Sequence, residues 1–339
     1  MLGLRCGELT LRDYYVTKSG RMRRSENTIE LELADGNKRD IPINDIRSIH
    51  LFGETDLNTR VLVLLNQHGI PVHVYNWYGY YSGSFYPREK LLSGFLIVKQ
   101  VEHYLDRAKR LLIAKEFVRT ANHNIIQNLN HYRDNGKDVG SFIEKMRGQE
   151  ATLEEKQTIP DIMGVEGRIR EIYYSSFGSI LRAGFEFERR TRQPPENMLN
   201  SMISFGNSLI YATTLSEIYH TQLTPTVSYL HEPGERRYSL ALDLAEVFKP
   251  VIVDRVIFSL INNRIVKEEH FLRELNSCYL NENGRRLFIE EYEKKINTTL
   301  RHTKLKRHVS YQRLIRIEAF KLVRHLLGED LYKGFRSQW

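Results

Sequence analysis

Cysteine is nearly absent from this 339-residue chain: Cys6 and Cys278 are the only two, far apart and in no metal-type spacing. That argues against a disulfide scaffold and a cysteine-rich zinc module, and it suits a reducing cytoplasm. Long apolar runs are missing too. None approaches the length of a bilayer span, and the opening MLGLRCGELTLRDYYV has no apolar signal-peptide core. A soluble, cytoplasmic protein with no membrane partner is therefore expected. Neither a GxxxxGK[ST] loop, a GxGxxG turn nor a GxSxG elbow occurs, which argues against nucleotide-driven and serine-hydrolase chemistry. Internal repeats, coiled-coil heptads and low-complexity tracts are also lacking.

What is present is globular in texture, with 41% hydrophobic and 27% charged residues, and long enough for two domains. The net charge of +8 and a pI near 9.3 tilt towards an acidic partner, either nucleic acid or an anionic surface. TIELELA (28–34) alternates as a strand, DGN marks a turn, and KRDIPI (38–43) offers the return strand. RSIHLFG and PVHVYNW read as further strands, and LNTRVLVLLNQHG (57–69) as a short helix ending at Gly69. From VEHYLDRAKRLLIAKEF onwards the apolar spacing is helical, with a polar connection within 132–160. The expected fold is α+β: a small N-terminal β-rich domain over 1–88, a linker over 89–99, and a larger, mostly α-helical domain over 100–339.

Three stretches carry candidate chemistry. Glu166 stands between glycines in GVEG, expected just before a long helix. It reads either as an N-terminal capping acid or as a site acid that other groups can approach. In SYLHEPGERRYSLALDLAEVFKP, His231 lies in a Pro/Gly turn, while Asp243 and Glu246 share one face of an apolar helix. A buried carboxylate is costly unless paired or bound to a cation. One imidazole and two or three carboxylates suit Mg²⁺ or Mn²⁺, although a turn histidine and a solvated acid pair stay open. The second stretch is basic. Residues 294–324 include Lys294, Lys295, Arg301, Lys304, Lys306, Arg307, Arg313, Arg316, Lys321 and Arg324 against the single acid Glu318, and Arg189, Arg190 and Arg192 form another cluster. Such runs either neutralise phosphates or simply face solvent. The third, YNWYGYYSGSFYPREK (75–90), either stacks bases or packs a hairpin or subunit contact.

GVEG, RTRQPPENMLNSMISFGNSLIYA, SYLHEP and YSLALDLAEVFKPVIVDR together resemble the CRISPR-associated integrase family Cas-one, in the family's order and over about residues 164–330. The resemblance implies an N-terminal β-domain that dimerises, a helical metal-dependent catalytic domain, and a small partner, Cas-two. It implies Glu166, His231 and Glu246 as metal ligands for Mg²⁺ or Mn²⁺. Asp243 either supports the site or binds directly, and the resemblance leaves open which of the two acids is closer to the ion. It implies double-stranded DNA as substrate: a spacer precursor whose 3′-hydroxyls attack a CRISPR repeat, with associated endonuclease activity. Arg189, Arg190, Arg192, Lys249, Lys304, Lys306 and Arg307 then become DNA-contact candidates, Lys249 alternatively pairing with an acid. Two rivals stand beside this reading: a metal-dependent repair nuclease that never integrates, and a non-enzymatic DNA-binding scaffold.

Overall fold

The computed structural model describes residues 11–338 apart from 90, 183, 186–188, 193, 236–237 and 303–304. Cys6, and Lys304 of the basic run, fall outside the described residues. The chain divides into two compact units, up to Lys90 and from Leu91 onwards.

Among its described residues the first unit holds two four-stranded sheets. One is built from β1 (Arg12–Val16), β5 (Ile46–Leu51), β7 (Val72–Tyr75) and β8 (Tyr81–Phe85), in that order. Its first three strands run parallel, and β8 returns antiparallel to β7 as the hairpin of the aromatic stretch. The other runs β4 (Lys38–Pro42), β3 (Thr28–Leu33), β2 (Gly20–Ser25) and β6 (Thr55–Leu57). Alternation in β3 buries Ile29 and Leu31, and the expected turn before β4 forms with Gly36 at φ 82°. Helix α1 (Thr59–His68) is capped by the Asn58 side chain on the Val61 N–H and closed by Gly69 at φ 67°. It adds Val61, Leu64 and Leu65 to a core with Met22, Ile29, Ile41, Ile49 and Val72.

The sheet of β1, β5 and β7 also buries polar groups. Ser48 donates to Asp13 (2.6 Å) and meets His50 Nε2 at 2.9 Å, while His50 Nδ1 meets the Tyr75 hydroxyl at 2.8 Å. His73 lies beside His50, ring centroids 5.0 Å apart, with its Nδ1 on Ser84. Burial pushes His50 down to about 3 and His73 well below the ordinary imidazole value. Both rings are thus neutral at physiological pH.

The second unit is helical: α2 (Gly94–Leu105), α3 (Arg107–Asp134), α4 (Gly140–Ala151), α5 (Ile159–Ser175), α6 (Phe177–Ile180), α7 (Met198–Tyr219), α8 (Ser239–Phe248), α9 (Arg255–Asn262), α10 (Glu282–Ile296) and α11 (Tyr311–Leu326). Two short hairpins intervene, β9–β10 (Phe271–Glu274, Ser277–Leu280) and β11–β12 (Thr299–His302, Arg307–Ser310). The expected linker over 89–99 contains the first residues of α2. Helix α7 is buried on nearly every side, and α8 packs against both α7 and α3. Gly206 lets α7 approach closely: a Cβ there would stand 2.4 Å from Val253.

Between α8 and α9, Pro250 has no N–H to continue the α-helical ladder. The chain widens into a π-turn over Pro250–Asp254, in which the Asp254 N–H reaches the Lys249 carbonyl. After α11 the chain runs back across the unit. Tyr332 donates to Glu318, the Gly334 N–H to Glu116 and the Ser337 N–H to Asn124, and Phe335 stacks on Phe248 at the end of α8.

Candidate active site

Glu166 is not at a helix N-terminus. Thr158 caps α5 by accepting from the Asp161 N–H, with Pro160 in the first turn, and Glu166 lies in the helix interior. The capping reading of Glu166 is therefore wrong, because the true start signal is Thr158-Ile-Pro-Asp. Gly164 and Gly167 face outward, where a Cβ would meet nothing within 4 Å.

Asp243 is fully buried on α8, and four donors converge on its carboxylate. The Tyr229 and Leu230 N–H groups reach Oδ2 at 2.7 and 3.0 Å; the His231 N–H and Nδ1 reach Oδ1 at 2.9 and 2.8 Å. One side chain thus folds the 229–231 turn onto α8 and orients the imidazole. The carboxylate oxygen accepts, so Nδ1 carries the proton of this bond, and in the neutral form of the ring the lone pair is at Nε2. Burial opposes a charge on His231, but Asp243 and then Glu246 outweigh it and hold the imidazole above its ordinary value.

Glu246, one turn further along α8, is also buried. Its Oε2 is joined to the Arg170 guanidinium and its Oε1 to the Lys249 ammonium. Burial would raise its carboxyl, yet Lys249, Arg170 and His231 together drive it far below the usual carboxylate range. Arg170 also donates from Nε to Glu166 Oε1 at 3.1 Å, one helical turn back on α5. Glu166 and Glu246, on different helices, are thereby tied by one guanidinium. Close behind, Asp254 is buried with no hydrogen-bond partner on Oδ2. Burial pushes it up to about 6 against the pull of Arg170.

Arg170 and Asp254 are not legible as site residues in the sequence. An arginine four residues after a glutamate reads as an ordinary helical ion pair. Asp254 carries a weak signal, being an acid in the apolar frame KPVIVDR two turns beyond Glu246. Lys249 pairs with Glu246, one of the two roles expected of it.

Two carboxylates and one imidazole nitrogen form a donor set suited to Mg²⁺ or Mn²⁺. Glu166, Glu246 and Asp254 surround the Arg170 guanidinium, Lys249 adds a second basic side chain at Glu246, and one oxygen of the buried Asp254 has no partner. The chemistry of the set therefore fits a divalent ion. With the side chains as they stand, however, no three His, Cys, Asp or Glu among the described residues are grouped closely enough to hold one. The arrangement is the ion-paired one.

The remaining candidates lie elsewhere. Arg189 is exposed and paired with Glu196 (3.2 Å), while Arg190 is spent on the start of α7, donating to Asn200 (3.0 Å) and Ser204 (2.9 Å). Arg192 is exposed. Lys306 and Arg307 are exposed on the β11–β12 hairpin beside Arg301. Several other basics of the run are ion-paired: Lys294 with Glu291, Arg316 with Glu217, Lys321 with Glu318 and Arg324 with Glu329.

A family model for CRISPR associated protein Cas1 matches residues 14–294. The chain belongs to the Cas1 family. It is 49% identical over 329 residues to CRISPR-associated endonuclease Cas1 3 of Thermodesulfovibrio yellowstonii, covering 97% of this chain and 100% of that one. To CRISPR-associated endonuclease Cas1 of Clostridium perfringens it is 46% identical over 331 residues, covering 97% and 99%. Among solved structures, the Cas1 protein TM1797 from Thermotoga maritima superposes with a TM-score of 0.86 at 42% identity, covering 96% of this chain and 100% of that one. A casposase bound to integration product shares the fold, with a TM-score of 0.82 at 21% identity and coverage of 96% and 94%. The strand-rich first unit and helical second unit are thus the Cas1 fold. Among the described residues no helix is long and apolar enough to cross a membrane.

Proposed function

We propose that this Cas1-family chain is a CRISPR adaptation integrase. It joins the 3′-hydroxyls of a short DNA duplex to phosphodiesters of a CRISPR repeat, and it cleaves DNA when water replaces the hydroxyl. The observation that carries this reading is the turn at His231. Asp243 fixes both the backbone and the tautomer there, and the ring lies near enough to Glu246 for their charges to interact, Glu246 being joined in turn to Glu166 through Arg170. An imidazole whose other nitrogen is held by a carboxylate is how proteins commonly prepare a metal-binding histidine.

Glu166, His231 and Glu246 would hold Mg²⁺ or Mn²⁺, with Asp243 as the orienting acid, since its donors are the His231 ring and three backbone N–H groups, which cannot swing away as the side chains on Glu246 can. When bound, the ion supplies Lewis-acid polarisation of the scissile phosphate and stabilisation of developing charge. The 3′-hydroxyl oxygen attacks phosphorus, the bond to the target strand's own 3′-oxygen breaks, and that oxygen leaves with a proton. One phosphodiester replaces another. No external energy is needed, in keeping with a sequence that has no nucleotide-binding loop. Both strands are served by a second copy of the chain, and Cas2 completes the assembly. Exposed cations such as Arg192, Lys306 and Arg307 contact phosphates without reading bases.

The test is strand joining by purified protein between a labelled 3′-hydroxyl duplex and a supercoiled repeat plasmid, with and without Cas2, in Mg²⁺, Mn²⁺ or chelator. Joined product that needs the ion and disappears in Glu166→Ala and His231→Ala is expected. Ion-dependent cleavage that never yields joined product, even with Cas2, would replace this reading by a nuclease. No ion-dependent product at all would leave a DNA-binding scaffold.

A further inference from the structure

The strongest observation that this mechanism leaves unused is Arg170. Its side chain is nearly buried, yet it carries a charge that nothing in an ordinary core requires. Burial works against that charge; the carboxylates of Glu246, Glu166 and Asp254 more than compensate and keep it protonated. Its contacts fall on the two carboxylates assigned above to the divalent ion, one on α5 and one on α8. Lys249 occupies the second oxygen of Glu246. An ion that takes these carboxylates therefore competes with Arg170 at both of them and with Lys249 at Glu246.

We propose that Arg170 is a resident counter-cation of the site, competing with the divalent ion for Glu166 and Glu246 and moving onto the DNA phosphate when the ion takes them. This rests on the reading above that these carboxylates take an ion. The physical argument is one of charge. Carboxylates gathered in a buried site repel one another and any incoming phosphate. A guanidinium between them satisfies both in the ion-free chain, and its planar donors are equally suited to a bidentate phosphate contact. Once an ion displaces it, a buried arginine needs a new anion, and the scissile phosphate provides one. Ion and DNA should therefore bind with positive coupling, each strengthening the other by the same factor. Arg170 acts through Glu166 and Glu246 until DNA arrives. In that state it is a positioning residue.

The experiment measures Mn²⁺ binding by the loss of the free-ion EPR signal, for wild type, Arg170→Gln and Lys249→Gln, each with and without a non-cleavable phosphorothioate duplex. Thermal unfolding in chelator and in Mn²⁺ is followed alongside. Wild type is expected to bind Mn²⁺ about tenfold more tightly with the duplex than without, within the usual range of such couplings. In Arg170→Gln the ion binds about tenfold more tightly than wild type without DNA, the duplex adds little, and Mn²⁺ raises the unfolding temperature more than in wild type. A purely structural arginine would give the opposite: weaker Mn²⁺ binding and no extra rescue by the ion. A folded Arg170→Gln whose Mn²⁺ affinity is unchanged or lower would overturn the proposal. If that variant is unfolded in both chelator and Mn²⁺, Lys249→Gln decides, since removing the second cation must also tighten Mn²⁺ binding; unchanged affinity there overturns the proposal as well. Failure of wild type and both variants to bind Mn²⁺ would instead overturn the metal reading of the site, and this inference with it.

Discussion

Asp243 shows how much a single buried carboxylate can organise. Three backbone N–H groups and one imidazole N–H end on it, and all four are left without an acceptor if it is removed. Leaving buried donors unsatisfied costs about 1–3 kcal/mol each. Asp243→Ala is therefore expected to lower stability by about 3 kcal/mol or more, read by urea unfolding, and to abolish strand joining even where it stays folded. A loss of joining with no loss of stability would mean that Asp243 acts on the substrate instead of on the turn. Asp243 and Glu246 stand out in the sequence because they interrupt an apolar helix, and both prove to be buried. Arg170 offers no such signal. Its partner Glu246 is far along the chain, and only the packing of both α5 and α8 on α3 turns a routine helical pair into a bridge.

At the scale of elements, α5 is the instructive case. Its two glycines suggest a break before the helix, whereas they lie within it with open space where side chains would be. Glycine in a helix interior costs about 0.5–1 kcal/mol relative to alanine. Gly164→Ala and Gly167→Ala should each raise the unfolding temperature of the second unit, measured by calorimetry. A drop in strand joining by these stabilised variants would show that DNA passes against bare backbone there. Gly206 is the contrary case, since an alanine Cβ would collide with Val253 in the π-turn. Gly206→Ala should destabilise by about 1–3 kcal/mol, as overpacked cores do; equal unfolding midpoints in urea would contradict the close approach of α7. The strands of the first unit are readable from period-two alternation and turn residues. The π-turn is not, because Pro250 announces an interruption without saying how the ladder resumes.

For the whole molecule, the excess of basic residues is plain from the sequence, but how they are paired is not. Ion pairs such as Arg316 with Glu217 join residues distant in sequence, and only the fold reveals them. Replacing Lys306 and Arg307 with alanine should weaken duplex binding across all sequences and flatten its logarithmic salt dependence by about 1 for each phosphate no longer neutralised. An unchanged slope in a fluorescence-anisotropy titration would place the DNA elsewhere. The first unit carries its own pH dependence. His50 and His73 are neutral when folded and take up protons near pH 6.5 when unfolded, so the unfolded chain binds more protons below that pH. Stability of this unit should be fully present above about 6.5 and fall as pH drops below it, by about 1.4 kcal/mol per pH unit for His50 down to about pH 3 and in the same direction for His73. Hydrogen exchange of β5 and β7 between pH 7 and 4, corrected for intrinsic rates, checks this; pH-independent protection would contradict it. The segment after α11 has a further consequence. Phe335 backs Phe248, and Gly334 and Ser337 tie the same stretch to α3, although all of them are translated long after α8. A nascent chain halted anywhere between α8 and Tyr332 carries Glu166, His231, Asp243 and Glu246 but lacks the support behind the helix that presents two of them. Such a shortened chain should hold α8 less firmly, and faster hydrogen exchange along Ser239–Phe248 than in a chain that includes Ser337 is the expected sign.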